Sequence, residues 1–145
     1  MPTEKTFIML KPEALQLGVS EVILKELEDI GRKVKQAKVE KINEDEIILH
    51  YVPVIKKYGE YIRQWIIDYF VGKSVILAVY EGEDIIRKIR DKIGSTDPLK
   101  AGKDTVRGKY SKDSWEKAIS EKRVVQNIIH ASDSKEEFER EFDFN

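Results

Sequence analysis

Ser74 to Tyr80 reads Ser-Val-Ile-Leu-Ala-Val-Tyr, the most hydrophobic run in the chain. It is too short for a helix and predicts a central strand. Three other segments predict strands around it. Thr6 to Leu10 is an apolar run between charges, closed by Lys11-Pro12 because proline cannot donate to a ladder. Lys33 to Ile42 alternates imperfectly through Ala37 and Val39 and is heavily charged, as an edge strand is. Val124 to Ala131 supplies the fourth.

Helical signals fall between these runs. Ser20 reads as an N-cap, followed by Ile23, Leu27 and Ile30 on one face and by Gly31 at the stop. Asn43 and Glu46 resemble a capping box that opens a short helix through His50 and Tyr51. Ile62, Trp65, Ile66, Tyr69 and Phe70 form the cleanest amphipathic stripe, ended by Gly72. Ile85, Ile86, Ile89 and Ile93 mark another helix, closed by Gly94. Residues 95–110 read as loop, and 114–123 as a polar helix. Ser132-Asp133-Ser134 with Glu136-Glu137 starts a last helix whose apolar side is Phe138 and Phe142. The first two strands are separated by a whole helix, which excludes a simple meander. The order fits an α+β class: a ferredoxin-like βαββαβ single antiparallel sheet with helices on one face, plus inserted helices. A small doubly wound parallel sheet is the alternative.

Composition bounds the function. At 145 residues the chain is one domain, 1–145, with thirteen aromatic residues to build a core. Twenty-six basic and 27 acidic residues give a net charge of −1, so no global basic field indicates nucleic acid. The absence of cysteine excludes disulfide scaffolds, thiolate metal sites and cysteine nucleophiles. No signal-peptide core and no run of 18 apolar residues is present, so no membrane partner and a cytoplasmic location are expected.

Walker, G-x-G-x-x-G, H-E-x-x-H and G-x-S-x-G motifs are all missing. The two histidines, His50 and His130, lack the neighbouring ligands of a zinc site. His130 ends an apolar strand directly before a helix start, where backbone N–H groups favour anions. A neutral imidazole there is able to attack a phosphorus centre, though a buried structural histidine fits the position as well.

The surrounding residues decide between these. Asn127-Ile128-Ile129-His130-Ala131-Ser132-Asp133-Ser134 closely resembles the active-site signature of nucleoside diphosphate kinases. Other blocks arrive in that family's order: Thr6 to Pro12, His50-Tyr51-Val52, Ile93 to Pro98, and Thr105-Val106-Arg107-Gly108. The resemblance implies a ping-pong transfer of the γ-phosphate of a nucleoside triphosphate to a nucleoside diphosphate, with Mg²⁺ as cofactor. His130 would be the nucleophile and Glu141 the group that orients its imidazole. Lys11 and Asn127 match the residues at the sugar hydroxyls, with Lys11 also near the transferring phosphoryl. Tyr51 matches a tyrosine supporting that region. Arg90, Thr96 and Arg107 match the phosphate ligands, Ser132 a buttressing serine, and Asp133 a carboxylate reaching Mg²⁺ through water. Partners would be nucleoside tri- and diphosphates and further copies of this chain.

The match departs at three places. The base-stacking aromatic has no single counterpart, and Tyr58 or Tyr61 must serve. Arg107 and Asn127 are twenty positions apart, a longer spacing than is common in the family, with the surplus at 111–123. The sequence stops four residues after Glu141, short of the extension that supports hexamers in many members. Hexamer, tetramer and dimer are therefore all compatible with it, and a monomer is least expected. The alternative function is a catalytically degenerate nucleotide-binding module of the same fold.

Charged residues are 37% of the chain against about 25% on average, Ile numbers eighteen, and Asn and Gln together only seven. This is the pattern of proteins from hot environments. A thermal scan should place the midpoint above the usual range of about 45–65 °C, and a midpoint inside it would contradict that expectation.

Overall fold

The computed structural model describes residues 3–142. Four strands form one antiparallel sheet in the order β2-β3-β1-β4. They are β1 (Thr3–Leu10), β2 (Arg32–Val39), β3 (Val75–Glu83) and β4 (Ile129–Ala131). This is the ferredoxin-like order, with the apolar runs in β3 and β1 at the centre and the charged β2 at an edge. The helices are α1 (Pro12–Gln16), α2 (Ser20–Glu28), α3 (Glu44–Tyr58), α4 (Tyr61–Phe70), α5 (Ile85–Ile93), α6 (Val106–Tyr110), α7 (Trp115–Ser120) and α8 (Lys135–Phe142). No helix among the described residues is long and apolar enough to cross a membrane.

The continuous apolar runs of β1 and β3 have a physical reason: both faces of the sheet are covered. Ile8, Leu10, Ala78 and Tyr80 pack against Ile23, Leu24 and Leu27 of α2 and Ile85, Ile89 and Ile93 of α5. Phe7, Met9 and Leu77 point the other way, into Ile47 of α3 and Ile62, Ile66 and Phe70 of α4. The two crossover helices therefore lie on one face, as expected, and the inserted α3–α4 pair fills the other. Phe138 of α8 joins that second layer; the Phe142 side chain lies outside the described residues.

Several local expectations are corrected. Val19, not Ser20, is the N-cap of α2, without a side-chain bond. Asn43 does cap α3, accepting the Glu46 amide at 3.1 Å. That helix continues well past Tyr51, because Pro53 sits on an exposed side where the missing bond opens to water. The segment read as loop contains α6, whose N-cap Thr105 accepts the Gly108 amide at 3.0 Å. The fourth strand has only three residues, since buried Ile128 adopts a left-handed φ of 76° and breaks the extended path. Such a conformation costs a non-glycine residue on the order of 1–3 kcal/mol, so the surroundings must impose it.

Gly108 is fixed by close approach. A Cβ there would stand 2.0 Å from the Gly102 carbonyl oxygen. Gly108→Ala should therefore lower stability by about 1–3 kcal/mol in chemical denaturation, by forcing α6 and its Arg107 away from the sheet. An unchanged midpoint would show that the 95–105 segment yields freely.

Candidate active site

His130 is the middle residue of β4 and pairs with Met9 of β1. Opposed residues share a face, so its ring lies with Phe7 and Met9 under the α3–α4 layer while Ile129 and Ala131 anchor the strand in the opposite core. Phe7, His50 and Tyr51 surround it, with ring centroids 6.3, 5.1 and 6.3 Å from its own.

One ring nitrogen is committed. His130 Nε2 lies 2.5 Å from Glu141 Oε2 on α8. The other oxygen of Glu141 accepts the Ser132 hydroxyl at 2.8 Å, and Ser132 Oγ accepts the Phe7 amide at 3.2 Å. The imidazole is thus tied through two side chains to the central strand. With the Glu141 carboxylate accepting a hydrogen bond from Nε2–H, the Nδ1 lone pair is left free to attack.

Three cations approach from other elements. Lys11, at the end of β1, donates to Asn127 Oδ1 at 2.6 Å, and Asn127 Nδ2 donates to the Thr96 carbonyl at 2.9 Å. Arg107 of α6 is buried and donates to the carbonyls of Asn127, Gly94 and Ile129 at 3.2, 3.0 and 2.6 Å. Arg90 of α5 is exposed and reaches the Ala131 carbonyl at 3.3 Å. Burial, reinforced by Lys11, Arg107 and Arg90, pulls the His130 imidazole down to about 3. Burial also lowers Lys11 to about 8, with Glu13 opposing the shift, and lowers Arg107 to about 10. Glu141 is raised to about 7 by burial.

Tyr51 places its hydroxyl beside this cluster, buried and without a hydrogen-bond partner among the described residues. Burial holds it above the usual phenol range, so it remains a donor awaiting an acceptor. Tyr51 also lines an apolar cleft running out to Tyr58, Tyr61 and Trp115. Tyr58 meets Trp115 edge-on with centroids 6.1 Å apart, while Tyr61 packs on Trp65 at 5.2 Å. The surplus segment before Asn127 therefore forms one wall of the cleft through α7. It is stapled at its base: Arg123 makes two bonds to Asp113, at 2.6 and 2.9 Å, and Asp113 also accepts the Gln126 amide at 2.8 Å. Trp115 Nε1 donates to the same Thr96 carbonyl that Asn127 uses, at 3.1 Å.

The sequence-based candidates do not all converge on one point. His130, Glu141, Ser132, Lys11, Asn127, Arg107 and Tyr51 form the buried centre. Arg90 and Asp133 stand at its exposed rim, Tyr58 lies at the cleft mouth, and Thr96 takes part through its backbone carbonyl. Four residues went unassigned in the sequence: Glu13, His50, Trp115 and Glu137. Glu137 lies 3.6 Å from His130 Nε2 and is raised to about 8 by burial and its bond to Asp133. His50, His130 and Glu141 offer ligand atoms within 4.8 Å of one another. A dication there would face Lys11, Arg107 and Arg90 and would have to displace the His130–Glu141 bond, so the set suits a proton rather than a metal.

Comparison with known proteins follows this geometry. Residues 4–145 match the family profile described as nucleoside diphosphate kinase. The chain belongs to the nucleoside diphosphate kinase family. It is 31% identical to the nucleoside diphosphate kinase of Pyrobaculum aerophilum, over 99% of this chain and 95% of the relative. It is 37% identical to that of Methanothermobacter thermautotrophicus, over 95% of this chain and 83% of the relative. Among solved structures, an NDP kinase from Pyrobaculum aerophilum superposes with a TM-score of 0.86 at 30% identity, covering 99% of this chain and 95% of that one. A nucleoside diphosphate kinase of Borrelia burgdorferi, solved as a transition-state mimic with vanadate and ADP, has the same fold. Its TM-score is 0.92 at 24% identity, over 98% of this chain and 86% of that one. Members of this family are phosphotransferases.

The electrostatics make a checkable statement about the free protein. Nitrogen-15 spectra of His130 at pH 8 should show a neutral ring protonated at Nε2 and bare at Nδ1. The ring should stay uncharged when the pH is lowered to 5, above its value of about 3. An imidazolium signal at pH 6 would contradict the arrangement.

Proposed function

We propose that this chain moves the terminal phosphoryl group of a nucleoside triphosphate to a nucleoside diphosphate through a phosphohistidine at His130 Nδ1. The observation that carries the reading is the commitment of Nε2 to Glu141 inside a ring of cations. In the first half-reaction the Nδ1 lone pair forms the N–P bond as the bond from the γ-phosphorus to its bridging oxygen breaks. That electron pair leaves on the β-phosphate of the departing diphosphate. The ring becomes a phospho-imidazolium whose Nε2–H faces the Glu141 carboxylate. In the second half-reaction a β-phosphate oxygen of the acceptor attacks phosphorus, and the N–P electrons return to Nδ1. Donor and acceptor use one pocket in turn, so a Walker loop is not needed.

The remaining roles follow from position. Lys11 and Arg107 sit where charge spreads over the transferring oxygens, and preorganised cations in a buried site stabilise it most. Arg90 and Thr96 border the outer phosphates. Lys11 and Asn127 present polar groups for the sugar, the Tyr51 hydroxyl gains its missing acceptor, and Ser132 keeps Glu141 in place. Tyr58, half-open at the cleft mouth opposite Trp115, is the stacking ring; base–ring stacking is tolerant of sequence, which suits a broad nucleotide range.

Mg²⁺ belongs to the proposal. Asp133 is an exposed carboxylate beside the phosphate rim, held below the usual range by its bond from Glu137 and by Arg90. One carboxylate plus substrate phosphates and water is what Mg²⁺ accepts. When bound, the ion supplies charge neutralisation on the phosphates, while His130, Glu141 and Lys11 do the positioning. Assembly into a homo-oligomer, cytoplasmic residence and a hot-environment source complete the reading. The open edge at β2 and exposed Leu17 and Val22 support the assembly, and the Lys/Glu-rich composition supports the source.

Mixing the protein with Mg²⁺ and γ-labelled ATP should give an acid-labile, alkali-stable label within one turnover, discharged by any nucleoside diphosphate. His130→Ala should take up no label. Nucleotide binding without labelling of the wild type would favour the degenerate binding module instead.

A further inference from the structure

Glu13 has no role in the transfer chemistry above, yet it and Glu141 are the two buried acids among the described residues. It is the second residue of α1, and each of its oxygens is engaged. One accepts the backbone N–H of Ile128 at 2.9 Å, and the other accepts the Tyr69 hydroxyl of α4.

Ile128 is the residue that needs holding. Three non-glycine residues have positive φ among the described residues, Asp84, Lys122 and Ile128, and only Ile128 is both β-branched and buried. Its turn is tight, with the Ile129 amide donating to the Asn127 carbonyl at 2.8 Å. The Ile128 carbonyl accepts the Lys11 amide at 2.8 Å, so Lys11 and Glu13 clasp both backbone polar groups of one strained residue. Asn127 lies on one side of that residue, and His130 lies two positions beyond it on the other.

We propose that Glu13 is a positioning residue for phosphoryl transfer. Its carboxylate fixes the strained Ile128 turn, thereby aiming Asn127 and His130 together, and sets a buried negative charge against Lys11. The inference rests on the phosphohistidine reading for its kinetic consequence but not for its geometry. Two jobs on one side chain explain why an acid is kept here. A neutral acceptor would satisfy the Ile128 amide but leave the Lys11 charge without its carboxylate.

The groups facing Lys11 are Glu13 from α1, His50 from α3, Tyr69 from α4, Arg107 from α6 and His130 from β4. Glu13 is the acid among them and opposes the downward pull of burial on Lys11. Its removal must therefore lower the pH at which Lys11 loses its proton.

The test compares wild type with Glu13→Gln, which keeps the shape and an acceptor, Glu13→Ala, which keeps neither, and Glu13→Asp as conservative rescue. Thermal scans establish that each variant is folded. Amide exchange at Ile128 and the Lys11 titration are read by NMR without turnover, so an inactive wild type would overturn the activity reading and leave this one to be judged on those two signals. Glu13→Gln should keep Ile128 protected and move the Lys11 titration, with the alkaline limb of kcat/KM, downward by about one pH unit. Glu13→Ala should also expose the Ile128 amide and slow phosphohistidine formation by about 100-fold, with nucleotide KM within about threefold of wild type. Glu13→Asp should recover part of both. The proposal is overturned if Glu13→Gln leaves the Lys11 titration unmoved, or if Glu13→Ala forms phosphohistidine at the wild-type rate. Losses in Glu13→Ala that merely track its melting temperature, with kcat and KM changing together, overturn it equally.

Discussion

A neutral imidazole set among three cations is the condition on which the site depends. Lys11 and Arg107 would be costly to bury for stability alone, since each loses hydration on leaving water. Their carbonyl, amide and carboxylate partners offset part of that loss, and burial, reinforced by the field they create, keeps His130 unprotonated across the physiological range. The sheet exists in service of this arrangement as much as the reverse. β4 needs only three residues because Arg107 ties the carbonyls on either side of Ile128, where strand pairing has stopped.

How far the sequence reveals this depends on the length of each signal. β1, β3, α4 and α5 carry long apolar patterns, and all four stand where periodicity places them. α1 and α6 have five residues each and contain Pro12 and Gly108, so neither offers a periodic stretch to detect. The start of β4 at Ile129 is not legible because an isoleucine in the left-handed region has no compositional signature; valine and isoleucine around it look like ordinary strand.

The site divides along the same line. Asn127, His130, Ser132 and Arg107 lie in contiguous blocks, legible as text. Glu141 could be found only by counting from His130, since it is one acid in an acidic helix. Glu13 carried no signal at all, because an acidic residue in the first turn of a helix is what the backbone dipole favours anyway. Its burial, which gives it meaning, comes from α4 and from the turn at Ile128, both distant in sequence. Trp115 was hidden for another reason: it belongs to a segment with no counterpart in the usual family spacing.

That segment has an architectural consequence. Asp113 and Arg123 close its two ends on each other, and α7 hangs between them as a loop sealed at the neck. Inside the seal, the link to the turn that leads into the His130 strand runs through Trp115, whose indole shares the Thr96 carbonyl with Asn127. The α7 wall of the apolar cleft can therefore change in length and character from one descendant to the next, provided that the Trp115 contact is kept, which makes this corner of the molecule a dial for the shape of the cleft.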